Sequence, residues 1–228
     1  MGIIFLHEIE SLKERVLRLS VEVEDSLEKA LQAASGRDAV LAQTVLDGDA
    51  QIDAREVAIE EECLKLLALH QPVASDLRLV IAVLKINNDL ERIGDLATNI
   101  ADRAIRLSRL PPTSVELHIP RMGAEVRAML RQVFQAFLEH DPVLAARVVA
   151  RDDVVDEMNR VMIAQVAERL RRGDEAADTL LLLLGVSREL ERTGDHATNI
   201  AEDLIYLFEG RIVRHSKLPP VPAATPPV

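Results

Sequence analysis

Aromatic side chains are nearly absent from this sequence, which has one Tyr, four Phe and no Trp among 228 residues. Proteins that bind single-stranded nucleic acids stack bases on such rings, and a formal net charge of −11 also opposes binding to a phosphate backbone. The single cysteine, Cys63, excludes a disulfide framework and any CxxC redox or zinc-finger site, and it fits a reducing compartment. No uninterrupted apolar run approaches the roughly 20 residues of a membrane span, and the N-terminus lacks the basic segment of a signal peptide. We therefore expect a cytoplasmic protein with no membrane span and no nucleic-acid partner.

Glycine and proline are also scarce, except in one terminal segment. The chain has nine glycines, and five of its ten prolines lie in the last ten residues. The rest is rich in Leu, Ala, Glu and Arg, which favour helices, and poor in the aromatic residues that favour strands. Pro111 and Pro112 mark a linker-like stretch in mid-chain. This composition predicts an all-α protein with a disordered Pro-rich tail over residues 214–228.

The two halves of the chain repeat each other. The segment LERIGDLATNIAD at Leu90–Asp102 recurs as LERTGDHATNIAE at Leu190–Glu202. The segment DAVLAQTVLDGDAQID at Asp38–Asp53 is echoed by DPVLAARVVARDDVVD at Asp141–Asp156. Self-similarity of this kind indicates tandem copies of one structural unit. We therefore expect an internal duplication.

Each copy contains three segments in which apolar residues recur at helical spacing. Turn-forming residues separate these segments, and Asp38 and Asp76 are placed to cap the helices that follow them. The predicted helices run over residues 7–34, 38–69, 75–108, 120–140, 141–171 and 174–209. Long helices joined by short loops favour antiparallel bundles. The predicted fold is two tandem antiparallel three-helix bundles, over residues 1–110 and 111–213.

Acidic residues recur at an i, i+4 spacing on the second and third helices of both copies. On the third helices they lie opposite the apolar stripe, and on the second helices they flank it. The eight positions are Asp49, Asp53, Glu91, Asp95, Asp152, Asp156, Glu191 and Asp195. Like charges at this spacing destabilise a helix by about 0.2–0.5 kcal/mol, and Gly94 and Gly194 in the third helices each cost about 1 kcal/mol relative to alanine. Helix stability therefore does not explain the pattern.

A glycine between the apolar and acidic stripes suggests one explanation. Without a Cβ at Gly94 the second helix comes close, which brings Asp49 and Asp53 towards Glu91 and Asp95. Converging carboxylates repel one another and their pKa values rise, a penalty that a bound multivalent cation removes. All-oxygen ligands suit Mg²⁺, Mn²⁺, Ca²⁺ or iron. The pattern therefore predicts a metal site in each copy.

Two other interpretations of the acidic positions stay open. They form solvated faces on a helical scaffold without metal, or they serve a metal-dependent enzyme, either a hydrolase or an oxidoreductase. The sequence contains no Gly-rich phosphate loop and no GxSxG nucleophile elbow. His196 adjoins Asp195 but points about 100° away around the helix, which favours a surface or packing role. Cys63 lies on an apolar stripe, which favours a place in the core.

These motifs are where the chain resembles the PhoU family, the phosphate-specific transport system accessory proteins of bacteria. The resemblance rests on the duplicated layout, the paired E(D)xxxD motifs, the ERxGDxATNIAE signature and the closing LFEGRIVRH, and it covers residues 5–215. It implies a surface metal cluster on each bundle, of multinuclear iron or zinc, with Mg²⁺ or Mn²⁺ as alternatives. In this chain the implied ligands are the eight acidic residues above.

The same resemblance implies a regulator without catalytic activity. Family members repress the phosphate-starvation response when phosphate is plentiful and restrain phosphate uptake. They are thought to link the ATPase subunit of the phosphate ABC transporter to a membrane sensor histidine kinase. A homodimeric cytoplasmic adaptor is therefore expected.

Overall fold

The computed structural model describes residues 3–112, 118–173 and 176–213 of the chain. These residues form helices and connecting turns without a strand. The seven helices are α1 (Ile3–Gly36), α2 (Ala39–His70), α3 (Ala74–Leu107), α4 (Ile119–Glu139), α5 (Pro142–Val149), α6 (Asp152–Arg172) and α7 (Ala177–Glu209). The predicted Pro-rich tail over residues 214–228 lies outside the described residues. None of the described helices combines the length and the hydrophobicity that a membrane span requires.

Two aspartates at corresponding places of the repeat begin the second helix of each copy. Asp38 Oδ1 accepts hydrogen bonds from the backbone N–H groups of Val40 and Leu41, each at 2.9 Å. Asp141 does the same for the two residues that follow Pro142. Such caps satisfy N–H groups that have no partner within the helix. The capping role predicted for Asp76 is wrong. Helix α3 begins at Ala74, so Asp76 lies in the first turn of the helix and not at the capping position.

The helix predicted over residues 141–171 is interrupted. It forms α5 and α6, with a turn at Ala150 and Arg151 between them. Arg151 reaches α4, where its guanidinium donates to Glu125 at 2.5 Å and to Gln132 at 3.1 Å. The break places Asp152 in the first turn of α6, where unpaired N–H groups favour a negative charge.

The two copies pack as the duplication predicts. Helices α1, α2 and α3 form one bundle, and α4, α7 and the α5–α6 pair form the other. The two bundles meet along α3 and α7, with a smaller contact between α1 and α4. The all-α prediction of two tandem bundles is therefore confirmed, with the second helix of the second bundle in two pieces. The boundary at residues 110 and 111 stays a prediction.

Apolar side chains from all seven helices form one continuous core. Cys63 belongs to it, and burial raises the pKa of its thiol to about 12, so the thiol is protonated at neutral pH. The run of five leucines at 180–184 in α7 is buried only in part. Leu180 and Leu182 are buried, whereas Leu181 is 53% exposed because successive helical positions point in different directions.

Ion pairs cross the seam between α3 and α7. Arg103 Nη2 lies 2.7 Å from Glu189 Oε1, and Lys85 Nζ lies 3.1 Å from Asp203 Oδ1. Lys85 is near the start of α3 and Asp203 near the end of α7, so the two helices run antiparallel. Both carboxylates are buried, and buried charges require such partners. The contact between α3 and α7 is therefore apolar but contains ion pairs at these two positions.

His196 also lies at this seam. Its Nδ1 atom is 2.8 Å from Oδ1 of the buried Asp89 on α3. This contact agrees with the packing role expected for His196.

Candidate metal centres

The close helix approach expected at the two mid-helix glycines is present in both bundles. A Cβ built on Gly94 would lie 3.2 Å from Ile52 Cγ2 on α2, and one on Gly194 would lie 3.3 Å from Val155 Cγ1 on α6. Both distances are shorter than nine in ten real Cβ contacts. Each glycine therefore lets an acidic face of one helix approach that of its neighbour.

The second bundle brings three carboxylates together. Oxygen atoms of Asp152, Asp156 and Asp195 all lie within 4.8 Å of one another, with Asp152 and Asp156 half-buried. Thr198 Oγ1 donates a hydrogen bond of 3.0 Å to Asp152 Oδ1 and so orients that side chain. Three acidic oxygens at this separation are compatible with a shared hard cation.

Burial and mutual repulsion perturb these groups. Burial raises the pKa of Asp152 above its ordinary value, the hydrogen bond from Thr198 opposes the shift, and the charge of Asp195 adds to it. The pKa of Asp195 is raised by burial and then by Asp156. Glu191 belongs to the same group, since its pKa is raised by burial and then by Asp195. The four predicted ligands of the second bundle therefore share one electrostatic site.

The first bundle holds an unsatisfied oxygen. Asp49 Oδ1 is buried and has no hydrogen-bond partner among the described residues. Burial raises the pKa of Asp49, followed by the charges of Asp53 and Asp95. A buried carboxylate oxygen without a donor is costly unless another ligand, such as a cation, satisfies it.

The carboxylates of the first bundle are arranged less compactly. Within the described residues, a three-oxygen group of the kind seen in the second bundle does not form here. Arg92 lies at the rim, 3.4 Å from Glu91 and 3.5 Å from Asp95, whereas its counterpart Arg192 pairs with Glu189. The pKa of Glu91 is nonetheless raised, by burial and then by Asp95, with Arg92 opposing the shift.

One acidic neighbour was not identified from the sequence. Glu56 lies on α2 beside the first site, and its pKa is raised by burial, then by Glu60 and Asp53. Asn87 on α3 donates to the Glu56 carboxylate at 3.0 Å. In the second bundle the corresponding residues are Asn159 and Ser187, and the Ser187 hydroxyl donates to the Asn159 side chain. Because Asn159 is not acidic, comparison of the two copies does not identify Glu56 as a fifth acidic residue of the first bundle.

The family profile of the PhoU domain matches this chain twice, over residues 16–104 and 119–204. A PhoU homologue from Aquifex aeolicus, described as a phosphate-specific transport system accessory protein, is 38% identical over 211 residues, which is 92% of this chain and 96% of the relative. The chain belongs to the PhoU family. A further PhoU homologue, from Thermotoga maritima, is 36% identical over 91% of this chain and 90% of the relative.

Solved PhoU structures share the fold. The crystal structure of PhoU from Pseudomonas aeruginosa superposes with a TM-score of 0.88 at 36% identity, covering 91% of this chain and all of that chain. The phosphate transport system regulatory protein PhoU from Streptococcus pneumoniae gives a TM-score of 0.85 at 30% identity, covering 92% of this chain and 99% of that chain. The PhoU fold therefore extends over both bundles of this chain.

The raised pKa values predict that this PhoU family member, when metal-free, becomes less stable as pH rises. In the described ranges, six carboxyls are affected, namely Asp49, Glu56, Glu91, Asp152, Glu191 and Asp195. The ordinary pKa values are 3.8 for Asp and 4.5 for Glu, and they describe the unfolded state. At a pH between these values and the raised pKa values of the native state, the folded protein holds protons that the unfolded protein has released. At pH values below their ordinary pKa values, these carboxyls contribute fully to the free energy of unfolding. This contribution is therefore lost as the pH rises through their raised pKa values.

Urea unfolding of chelator-treated protein at a series of pH values measures this effect. The free energy of unfolding should fall as the pH rises above the ordinary pKa values and level off once the raised carboxyls have ionised, and a variant with Asn at Asp49, Asp152 and Asp195 should show a shallower dependence. The opposite slope in the metal-free wild type would contradict the prediction.

Proposed function

We propose that this protein is a non-enzymatic regulator of phosphate uptake and of the phosphate-starvation response, acting as a repressor when phosphate is plentiful. The observation that carries the proposal is the match to phosphate-specific transport accessory proteins over about nine-tenths of the chain, across both bundles. A shared fold alone leaves function open. Here the PhoU profile also matches both copies of the repeat, over the residues that contain the acidic motifs, which supports a common role.

The proposed mode of action is that of an adaptor. The partners implied by family membership are the ATPase subunit of the phosphate ABC transporter and a membrane sensor histidine kinase, with a cytoplasmic homodimer as the working form. Long helices with exposed polar faces support such a role, since they offer extended surfaces to more than one partner.

We also propose that each bundle binds a metal cluster. The residues that would hold it are Asp49, Asp53, Glu91 and Asp95 in the first bundle and Asp152, Asp156, Glu191 and Asp195 in the second. The unpartnered Asp49 oxygen and the three close carboxylates of the second bundle support this assignment. Family resemblance suggests multinuclear iron or zinc, and the all-oxygen donor set favours iron, Mg²⁺ or Mn²⁺ over zinc.

A reporter of the phosphate-starvation response tests the regulatory role. In phosphate-rich medium, cells without this protein should express the reporter, and a plasmid-borne wild-type copy should silence it. Reporter expression that is unaffected by the presence of the protein would refute the proposal.

The competing function is a metal-dependent enzyme that uses the carboxylate cluster of the second bundle. Its signature would be steady turnover of a phosphoester or of dioxygen by the purified protein, abolished by a chelator and by Asp195→Asn. Such turnover, together with an unaffected reporter, would favour the enzyme over the adaptor.

A further inference from the structure

An open groove of about 810 Å³ lies between the end of α3 and the first half of α7. Its lining is strongly basic although the protein has a net charge of −11. Among the described residues, five arginines contribute to it, against the two carboxylates of Asp178 and Glu189. The arginines are Arg103, Arg106, Arg109, Arg188 and Arg192.

Two of these arginines neutralise a buried acid, and three do not. Arg103 and Arg192 share Glu189, at 2.7 and 3.5 Å. Arg106, Arg109 and Arg188 are exposed, and in the described part of the chain their side chains form no ion pair or hydrogen bond. Three positive charges at the groove are therefore available to an external anion.

The position of Arg103 is set by the neighbouring helix. A Cβ added to Gly185 would collide with Arg103 Nε, so the guanidinium lies across the α7 backbone where a side chain is missing. Arg103 Nη1 also donates to the backbone oxygen of Asn99 at 2.9 Å. The close contact with Gly185 and the hydrogen bond to Asn99 therefore fix the position of Arg103 at the groove.

The duplication provides an internal comparison for this charge. At the opposite end of the α3–α7 seam a smaller groove of about 160 Å³ is lined by Ile81, Lys85, Asp203 and Tyr206 among others. The repeat places Asp203, Tyr206 and Glu209 where the first copy has Arg103, Arg106 and Arg109. The positive charge is therefore specific to one end of the molecule and is not a by-product of the repeated fold.

The basic groove also has an apolar component. Leu181 is 53% exposed at its edge, and Leu182 and Leu184 line it further in. Inorganic phosphate would use the arginines but not this apolar surface. An acidic peptide with apolar side chains would use both, because guanidinium groups bind carboxylates in a planar, bidentate manner and the leucines offer a hydrophobic contact.

We propose that this groove is a docking surface for an acidic, partly apolar segment of a partner protein. Complementary charge sets the orientation and speed of such an association, and apolar contact at the groove adds affinity. The proposal goes beyond the regulation of phosphate uptake, since it requires neither phosphate nor metal.

Fluorescence anisotropy with a labelled peptide of about 18 residues, carrying Glu and Leu at helical spacing, tests the proposal. The purified full-length protein should bind it, and added salt should weaken the binding. The triple variant Arg106→Glu, Arg109→Glu and Arg188→Glu should bind about tenfold or more weakly. Leu181→Ser, which leaves every charge in place, should also weaken binding, as should replacing Leu by Ser in the peptide.

The matched control is Arg18→Glu, Arg160→Glu and Arg171→Glu, which makes the same charge change at exposed arginines elsewhere. Equal weakening by both triple variants, or no binding by the wild type, would overturn the proposal. Displacement of the peptide by inorganic phosphate, with no effect of either Leu→Ser change, would also overturn it and indicate a simple anion site. Peptide binding is measured on purified protein, so its outcome is independent of the reporter experiment.

Discussion

Replacing Asp152 and Asp195 together by Asn is expected to abolish the proposed metal binding in the second bundle and to leave that of the first bundle unchanged. The two substitutions remove two of the three negative charges whose oxygens lie within 4.8 Å of one another. Asn preserves the size of Asp and can still accept the hydrogen bond from Thr198, so the change is mainly electrostatic. Elemental analysis should therefore show loss of only the second-bundle share of the metal.

The same variant should change stability in opposite directions with and without metal. In chelator-treated protein it should unfold at a higher urea concentration than the wild type, because the repulsion that raises the pKa values of Asp152 and Asp195 is removed. With metal at about 100 times its dissociation constant, an intact site adds about 2.7 kcal/mol to the free energy of unfolding. The variant lacks this gain in its second bundle. With metal present, the wild type should therefore be more stable than the variant.

A neighbouring pair of acids provides the control. Asp153→Asn with Glu157→Gln makes the same charge change on exposed residues of α6 outside the three-carboxylate group. This control should keep its full metal content. Loss of metal from the control, or full metal content in the Asp152 and Asp195 variant, would assign the metal to other residues.

Replacing Gly94 by Leu is expected to cause a large loss of stability and to disrupt the proposed metal site of the first bundle. A Cβ at this position already lies 3.2 Å from Ile52, whose side chain is 5% exposed and held in the core. The remaining atoms of Leu can be accommodated only if α2 moves away from α3, and overpacking of this kind costs about 1–3 kcal/mol. The same movement separates Asp49 from Asp95, so metal content should fall as well.

Gly48 is a matched control in the neighbouring helix. A Cβ added there has no neighbour within 4 Å, so Gly48→Leu should improve stability through helix propensity, by about 0.5–1 kcal/mol. Urea unfolding measures both variants, and Gly94→Ala serves as a milder change if the Leu variant does not fold. Equal effects at positions 94 and 48 would show that close packing of α2 on α3 is not what requires glycine at position 94.

Much of this architecture could be predicted because its causes are local. Helical periodicity and turn residues indicate where helices lie, and the repeat indicates that the two halves fold alike. Like charges at Glu91 and Asp95 beside Gly94 contradict helix propensity, which marks these positions as serving another purpose. The identity of the eight acidic positions and the role of the glycine follow from this conflict between charge, propensity and pattern.

Features that depend on contacts between helices could not be predicted in this way. The break before Asp152 accompanies the reach of Arg151 to α4, and the partner of His196 lies more than 100 residues away on α3. Glu56 joins the first site without a counterpart in the second copy. Each of these depends on which side chain a neighbouring helix presents, and helical periodicity carries no such information.

Helix propensity, apolar periodicity and charge spacing act within a single helix, so the all-α duplication, the acidic positions and the glycines between them can be predicted from the amino-acid sequence. The antiparallel contact of α3 with α7 and the pairing of Arg103 with Glu189 are known only from the folded chain. The same holds for the three close carboxylates of the second bundle and for the groove that arginines from two helices form. Burial and charge pairing between distant segments depend on how the helices pack, and each helix alone is compatible with many packings.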